Sequence, residues 1–195
     1  MRMVLASGSP RRAALLNQLG LEFDVDPPDV DESRLPEERP EAYVERLARE
    51  KALTANAPET LVVAADTAVV HEGHLMGKPG HPEEARSMLR HLAGQVHEVV
   101  TGLAVAVADD VHSLVDVTTV RMLPMTADEI NEYVESGEPM DKAGSYALQG
   151  RGGMFVESIS GSPFTVVGLP IHLLPRLILR VGADLHRFER RRSNL

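Results

Sequence analysis

Two serines and two arginines follow the first apolar segment of the chain, in the run SGSPRR at positions 7–12. We predict that this run joins a strand to a helix, where backbone N–H groups and the positive helix end attract anions. The hydroxyls of Ser7 and Ser9 and the guanidinium groups of Arg11 and Arg12 add donors suited to phosphate. The alternative is an ordinary turn with a capping serine and solvated arginines. The run is not a P-loop, since the further glycine and the Lys-Ser/Thr pair are missing.

One carboxylate interrupts the apolar run LVVAADTAVV at 61–70, which we predict to be a strand. A carboxylate inside a strand is costly unless it is paired, bound to metal or facing a cleft. Asp66 is therefore a candidate to accept a proton from an attacking water or to hold a divalent ion. The alternative is an aspartate that caps a neighbouring backbone group, or a strand that ends sooner.

Further charged and polar residues lie in four other segments. Lys51, near the end of a predicted helix, and Lys78, between a glycine and a proline, can neutralise phosphate oxygens as point charges. Asp31 and Glu32, in a loop rich in proline and acidic residues, are possible metal ligands. Gln149, in the run GSYALQG, can read the edge of a base because an amide both donates and accepts hydrogen bonds. Solvated side chains remain the alternative at each position. The eight histidines show no metal-binding spacing, and we expect them to be solvated.

The elements that must position these residues follow from the apolar periodicity, which alternates between strand and helix patterns and so predicts an α/β domain. The predicted strands are 3–6, 21–26, 61–70, the two strands of a hairpin at 96–107 and 112–123, and 154–159. The first predicted helix begins at Pro10 and ends at Gly20, and a third lies between His81 and Gly94. The other predicted helices are 41–56, 126–137 and 170–181. Gly102 is expected to mark a bulge or a close backbone contact.

Composition narrows the classes of function. The chain has 195 residues, no cysteine and a formal net charge of −9. The absence of cysteine excludes a disulfide framework and a thiolate nucleophile. The acidic balance argues against nucleic acid as a partner, because such binding needs a basic face. No apolar window is long enough for a membrane span and no signal-peptide pattern opens the chain, so we expect a cytoplasmic protein. We expect a single domain over 1–182 and a frayed, charged tail over 183–195.

The order of several motifs closely resembles the Maf (septum formation protein) family. These motifs are LASGSPRR, VDES, AREK, AADT, GKP, LAGQVHEVVTG, DKAGSYALQG and VVGLP, and they extend from Leu5 to about Leu174. The resemblance implies an elongated α/β fold like that of inosine triphosphate pyrophosphatases, with a mixed sheet, flanking helices and a cleft between two lobes. It also implies hydrolysis of nucleoside triphosphates between the α- and β-phosphates, dependence on Mg²⁺ or Mn²⁺, and frequent homodimers.

The resemblance also assigns roles to individual residues. It makes Asp66 the proton acceptor and, with Glu32, a metal ligand. It assigns the triphosphate to four cations: Arg11, Arg12, Lys51 and Lys78. Three positions vary with the substrate base in this family, and here they hold Arg11, Thr67 and Gln149, as in the branch similar to dTTP/UTP pyrophosphatases.

The hypothesis is therefore a pyrimidine triphosphate pyrophosphatase that produces a monophosphate and pyrophosphate. Three alternatives are kept: a pyrophosphatase for methylated nucleotides, a non-catalytic nucleotide-binding regulator of septum formation, and a nucleic-acid binder acting through the basic run at 187–192. The preference among dTTP, UTP, CTP and modified pyrimidines stays open. So does the cellular role, nucleotide-pool cleaning or arrest of division.

Overall fold

The computed structural model of the protein describes residues 1–190. Its strands are β1 (Arg2–Leu5), β2 (Asp24–Val25), β3 (Thr60–His71), β4 (His74–Met76), β5 (Val96–Val107), β6 (Asp110–Met122) and β7 (Val156–Ser160). Its α-helices are α1 (Pro10–Gln18), α2 (Pro40–Thr54), α3 (Pro82–Leu92), α4 (Ala127–Glu135), α5 (Pro163–Val167) and α6 (Leu174–Arg180). Short 3₁₀ turns cover Glu138–Asp141, Ala143–Ser145, Arg151–Phe155 and Leu185–Phe188.

The strands of the described residues form a seven-stranded mixed sheet. Its order is β2-β1-β3-β5-β6-β7, and β4 pairs with β3. β1 runs parallel to both β2 and β3, whereas β3–β4 and β6–β7 are antiparallel. The predicted α/β class with a mixed sheet and flanking helices is confirmed, while the predicted cleft between two lobes stays a prediction.

The chain divides into two compact units. Unit 1 contains Met1–Asp66, Thr101–Asp116 and the chain from Gly168 onward, and unit 2 contains Thr67–Val100 and Val117–Val167. The boundaries fall inside β3, β5 and β6, so each of these strands contributes residues to both units. The single domain expected over 1–182 stays a prediction.

Small side chains bring α2 close to the sheet in unit 1. A buried cluster of mostly alanine and valine joins the helix to β1, β3 and β5: Val4, Ala6, Ala48, Ala52, Val62, Ala64, Ala104 and Ala106. At Gly102 on β5, an added Cβ would overlap the backbone carbonyl of Val44 on α2. The close backbone contact expected at Gly102 is therefore confirmed. The absence of a side chain at this position allows α2 to pack against β5.

Unit 2 has its own apolar core, which surrounds the fully buried Tyr133 of α4 and includes Leu89 and Leu92 of α3. The expectation that all histidines are solvated is wrong for two of them. His97 is 2% exposed because it lies on the buried face of β5, where its neighbours Val96 and Glu98 are exposed, and His71 is 9% exposed at the end of β3. Nε2 of His97 is 2.8 Å from the hydroxyl of Tyr146.

Several predicted elements differ from the structure. The run at 21–26 pairs with β1 only at Asp24–Val25, while Leu21 forms an isolated antiparallel bridge with Glu189. The last predicted helix, 170–181, begins only at Leu174, after a turn. The short elements β4 and α5 were not predicted.

The described part of the expected tail is not frayed. Phe188 is buried, and Arg190 donates hydrogen bonds to the carbonyl of Gly20 and to the side chain of Asn17. The carbonyl of Phe188 also accepts the N–H of Glu22 at 2.7 Å, which ties this charged segment to the rest of unit 1. The remainder of the run at 187–192, Arg191 and Arg192, lies outside the described residues.

Candidate active site

Asp66 lies on β3 in unit 1 and is 8% exposed. Because side chains alternate along a strand, Asp66 shares the face of Val62 and Ala64, which is the face packed against α2. The alternative that the strand ends before residue 66 is wrong, since β3 continues to His71. The carboxylate therefore lies on the face of the sheet that α2 covers.

A lysine on the buried face of α2 pairs with this carboxylate. The buried residues of α2 have helical spacing and include Lys51: Val44, Leu47, Ala48, Lys51 and Ala52. Nζ of Lys51 donates to Oδ1 of Asp66 at 2.7 Å. The alternative of a solvated helix lysine is wrong here, since the Lys51 side chain is only 10% exposed.

A second carboxylate reaches the same ammonium group. Oε1 of Glu32 lies 2.6 Å from Nζ of Lys51, and the Glu32 side chain is 47% exposed. The structure therefore brings together Glu32, Lys51 and Asp66, with one positive charge between two negative ones. Asp31 is not part of this group, because its Oδ1 accepts the backbone N–H of Ser33 in an exposed turn.

The acidic loop that carries Glu32 is fastened by residues not predicted from the sequence. Arg46 of α2 donates to both carboxylate oxygens of Glu38, at 2.7 and 2.9 Å, and to the carbonyl of Ser33 at 3.0 Å. The Arg46 guanidinium thereby lowers the pKa of Glu38 to about 2. The hydroxyl of Tyr43 donates to the carbonyl of Glu32 at 2.9 Å. An arginine and a tyrosine on the first turns of α2 thus hold Glu32 over Lys51.

The serine and arginine run lies in the same unit. Arg12 donates from Nη1 to Oγ of Ser7 at 2.9 Å and from Nε to the carbonyl of Gly168 at 2.7 Å. Ser9 occupies the N-cap position of α1, but its side chain does not cap the helix. Its Oγ is buried and has no hydrogen-bond partner among the described residues. Arg11 follows on the first turn of the helix.

Burial and charge oppose each other at Asp66. Burial raises the pKa of its carboxyl above the ordinary value, and this outweighs the lowering effects of Lys51 and then of Arg12. Burial lowers the pKa of Arg12, against the raising effect of Asp66. Asp66 is thus electrostatically coupled to an arginine near the amino terminus as well as to Lys51, and it does not lie in a closed apolar core.

The other predicted residues belong to unit 2. Thr67 follows Asp66 on β3 and is half-buried, whereas Lys78 and Gln149 are exposed. The carbonyl of Gly77, next to Lys78, accepts the N–H of Gly144 at 3.1 Å. This bond connects the Lys78 segment to the glycine-rich segment that carries Gln149.

Oxygen donors suited to a hard divalent cation are present at Asp66 and Glu32. Within residues 1–190, no group of three or more His, Cys, Asp or Glu side chains could hold a metal ion. Two carboxylates without a third ligand fit Mg²⁺, which proteins commonly hold through one or two carboxylates together with substrate phosphates.

The mixed α/β fold thus brings a buried carboxylate into contact with a lysine and within electrostatic range of an arginine. Residues 2–181 match the sequence profile of the family described as Maf-like protein, and the chain belongs to that family.

Two relatives and one solved structure illustrate the similarity. A dTTP/UTP pyrophosphatase of Anaeromyxobacter dehalogenans (strain 2CP-C) is 50% identical over 189 residues, which cover 94% of this chain and 96% of the relative. One of Vibrio parahaemolyticus is 45% identical over 179 residues, covering 90% and 95%. The Staphylococcus aureus Ham1 protein matches with a TM-score of 0.43 and 14% identity, over 63% of this chain and 72% of that one.

Among the described residues, no helix has the length and hydropathy to cross a membrane.

Proposed function

We propose that this protein hydrolyses dTTP and UTP to the nucleoside monophosphate and pyrophosphate. Relatives that are 43–50% identical over most of the chain carry the name dTTP/UTP pyrophosphatase. The observation that carries the proposal is Asp66, a carboxylate buried on a central strand and held by the ammonium of Lys51. A carboxylate so placed suits proton abstraction from water next to an anionic substrate.

In the proposed reaction Asp66 orients a water molecule and accepts its proton. The water oxygen forms a bond to the α-phosphorus, and the bond from that phosphorus to the bridging oxygen of the β-phosphate breaks. The electron pair of the broken bond leaves with pyrophosphate. The raised pKa of Asp66 supports this role, since a carboxylate of higher pKa is a stronger base.

Cationic side chains hold the triphosphate in this proposal: Arg11, Arg12, Lys51 and Lys78. Stabilising the charge that develops on the phosphoryl oxygens is the largest contribution expected for such a reaction. Ser7 and Ser9 add hydroxyls at the start of α1. The buried Oγ of Ser9, which has no hydrogen-bond partner among the described residues, supports a phosphate contact there.

Asp66 and Glu32 would hold Mg²⁺ or Mn²⁺, as their hard oxygen donors suit either ion. The bound ion would supply neutralising charge to the phosphates. Glu32 would depend on Tyr43 and Arg46, which hold its loop.

The base is selected by Thr67 and Gln149 in this proposal, together with Arg11. The amide of Gln149 offers a donor and an acceptor to the pyrimidine edge, and its exposure on a turn supports contact with a ligand.

The test is a panel of triphosphates assayed for pyrophosphate and for orthophosphate, with Mg²⁺ or Mn²⁺ added and with EDTA as the control. We expect pyrophosphate from dTTP and UTP, little from dATP or 7-methyl-GTP, and none with EDTA. Hydrolysis in ¹⁸O-water should place the label in the monophosphate. Label in pyrophosphate, or release of orthophosphate with a nucleoside diphosphate, would contradict attack at the α-phosphorus. Binding of dTTP without turnover would favour the regulator of septum formation instead.

We also propose that the protein is a cytoplasmic homodimer; the family resemblance implies the homodimer. Sedimentation equilibrium at micromolar concentration tests the dimer, with a mass near twice that of the chain as the expected result and the mass of one chain as the contrary one.

A further inference from the structure

A partly buried hydrogen-bond network lies beneath the turn that carries Gln149. The residues of this network all belong to unit 2. The turn spans Ala147 to Gly150 and is closed by a hydrogen bond from the N–H of Gly150 to the carbonyl of Ala147 at 3.4 Å. Gln149 is its third residue and is exposed, and the backbone on either side of it sets the position of its side chain.

The carboxylate of Glu138 fixes the backbone after Gln149. Its Oε2 accepts the N–H of Arg151 at 3.0 Å, and its Oε1 accepts the N–H of Gly152 at 3.0 Å. Hydrogen bonds to an ionised acceptor are about twice as strong as those between neutral groups. Two consecutive amides are thus anchored to one side chain.

The hydroxyl of Tyr133 fixes the backbone before Gln149. It accepts the N–H of Ala147 at 3.1 Å and donates to Oε1 of Glu138 at 2.8 Å. Tyr133 is 1% exposed and packs in the core of unit 2. The phenol therefore connects the segment before Gln149 to the carboxylate that holds the segment after it.

Glycine is required where the loop approaches these two side chains. An added Cβ at Gly150 would overlap the carboxylate of Glu138, and one at Gly152 would overlap the hydroxyl of Tyr133. The glycines of this segment thus admit the side chains that hold it, rather than making it flexible.

The charge of Glu138 is retained at neutral pH. Burial acts to raise its pKa, but the hydrogen bonds from Gly152, Arg151 and Tyr133, with the charge of Lys142, outweigh burial and lower it. The ammonium of Lys142 also donates to the carbonyl of Glu138 at 2.7 Å.

From these contacts we propose that Glu138 is a positioning residue for Gln149 and thereby sets the selectivity for the base. The inference rests on the proposed function, in which Gln149 reads the pyrimidine. Glu138 acts through the backbone, since its carboxylate is engaged with Tyr133 and the two amides. A loop held in its binding geometry before the ligand arrives loses less conformational entropy on binding.

The experiment compares Glu138→Ala with Gln149→Ala, the double variant, and Glu135→Ala as a matched control. Glu135 is an exposed carboxylate at the end of α4. For each, kcat/KM is measured for dTTP and for dATP. We expect Glu138→Ala to lower kcat/KM for dTTP by about tenfold to a hundredfold, but that for dATP much less. The double variant should lose no more than Gln149→Ala alone, because both changes remove one interaction. Glu135→Ala should behave as the unchanged protein.

Amide hydrogen exchange in the protein without substrate gives a second measurement. The N–H groups of Arg151 and Gly152 should exchange slowly, and Glu138→Ala should make both exchange faster. Tyr133→Phe keeps the packed ring and removes only the hydroxyl, so it serves if Glu138→Ala does not fold. This variant should free the N–H of Ala147 from its hydrogen bond. It should also lower the dTTP-to-dATP ratio of kcat/KM, by a smaller factor than Glu138→Ala does.

Two failures are distinguishable. If the unchanged protein releases no pyrophosphate from dTTP, the proposed function fails, and the positioning role of Glu138 fails with it. If the unchanged protein is active but folded Glu138→Ala and Tyr133→Phe keep its dTTP-to-dATP ratio within twofold, the positioning role alone is overturned. Equal losses for both substrates would likewise overturn it.

Discussion

The ammonium of Lys51 lies 2.7 Å from Oδ1 of Asp66, although one residue is on α2 and the other is on β3. The two side chains are 10% and 12% exposed. A lysine replaces an apolar residue on the buried stripe of the helix, and an aspartate does the same on the covered face of the strand. Burying either charge without a partner would destabilise the folded protein, and the ion pair offsets that cost for both side chains. The pair lies where a substrate phosphate is proposed to bind.

Replacing Lys51 with methionine tests this coupling. The change leaves a buried carboxylate without its main counter-charge, so we expect the free energy of unfolding to fall by about 3 kcal/mol at neutral pH. It also removes a charge that lowers the pKa of Asp66. The pKa should therefore rise further, and the acidic limb of the kcat/KM profile should move to higher pH.

The matched control is Arg2→Met, which breaks an ion pair with Asp24 whose side chains are more than 60% exposed. Exposed pairs contribute little to stability, so the melting temperature should barely change. An acidic limb at the same pH in Lys51→Met as in the unchanged protein would mean that Asp66 is not the titrating group.

Gly102→Ala tests whether the close approach of α2 to β5 places Lys51. The added Cβ would overlap the carbonyl of Val44, and the helix would have to move away. Overpacking of this kind costs about 1–3 kcal/mol of stability, and turnover should fall with it. For Gly77→Ala, where an added Cβ meets no atom within 4 Å, thermal unfolding should be nearly unchanged. Equal stability of the two variants would refute the packing explanation.

The buried His97 predicts an acid-dependent loss of stability. Burial, with a smaller effect of His71, lowers its pKa from 6.5 to about 4. Between these values the unfolded chain binds a proton that the folded protein does not, so stability is present above pH 6.5 and is lost as pH falls toward 4. A difference of this size corresponds to about 3 kcal/mol.

His97→Gln is the comparison for that effect, because the amide can keep the contact with Tyr146 but does not titrate. Denaturant unfolding at pH 7 and at pH 4 should show a smaller acid loss in the variant. The same loss in both proteins would assign the acid sensitivity to other groups.

Local patterns predicted most of the fold and part of the site. Pro10, Pro82 and the Thr126–Glu129 capping box begin helices as predicted. The hairpin of β5 and β6 turns at Ala108 and Asp109. Asp66 was conspicuous because a charge within an apolar strand has a free-energy cost that needs an explanation.

Contacts between distant segments could not be predicted from local patterns. The burial of Lys51 could have been read from its spacing with Val44, Leu47 and Ala48, but its partner depends on which strand lies under the helix. Arg46 donates a hydrogen bond to Glu38, and Glu138 accepts one from the glycine-rich loop. In the sequence, these charged side chains cannot be distinguished from solvated ones.

The central claim is that Asp66 activates the water that cleaves the triphosphate. The most direct measurement is the rate of pyrophosphate release from saturating dTTP by the unchanged protein and by Asp66→Asn, with circular dichroism confirming that the variant is folded. Loss of a general base should lower kcat by about 10²–10⁴-fold. A folded Asp66→Asn variant whose kcat is within threefold of the unchanged protein would contradict the claim.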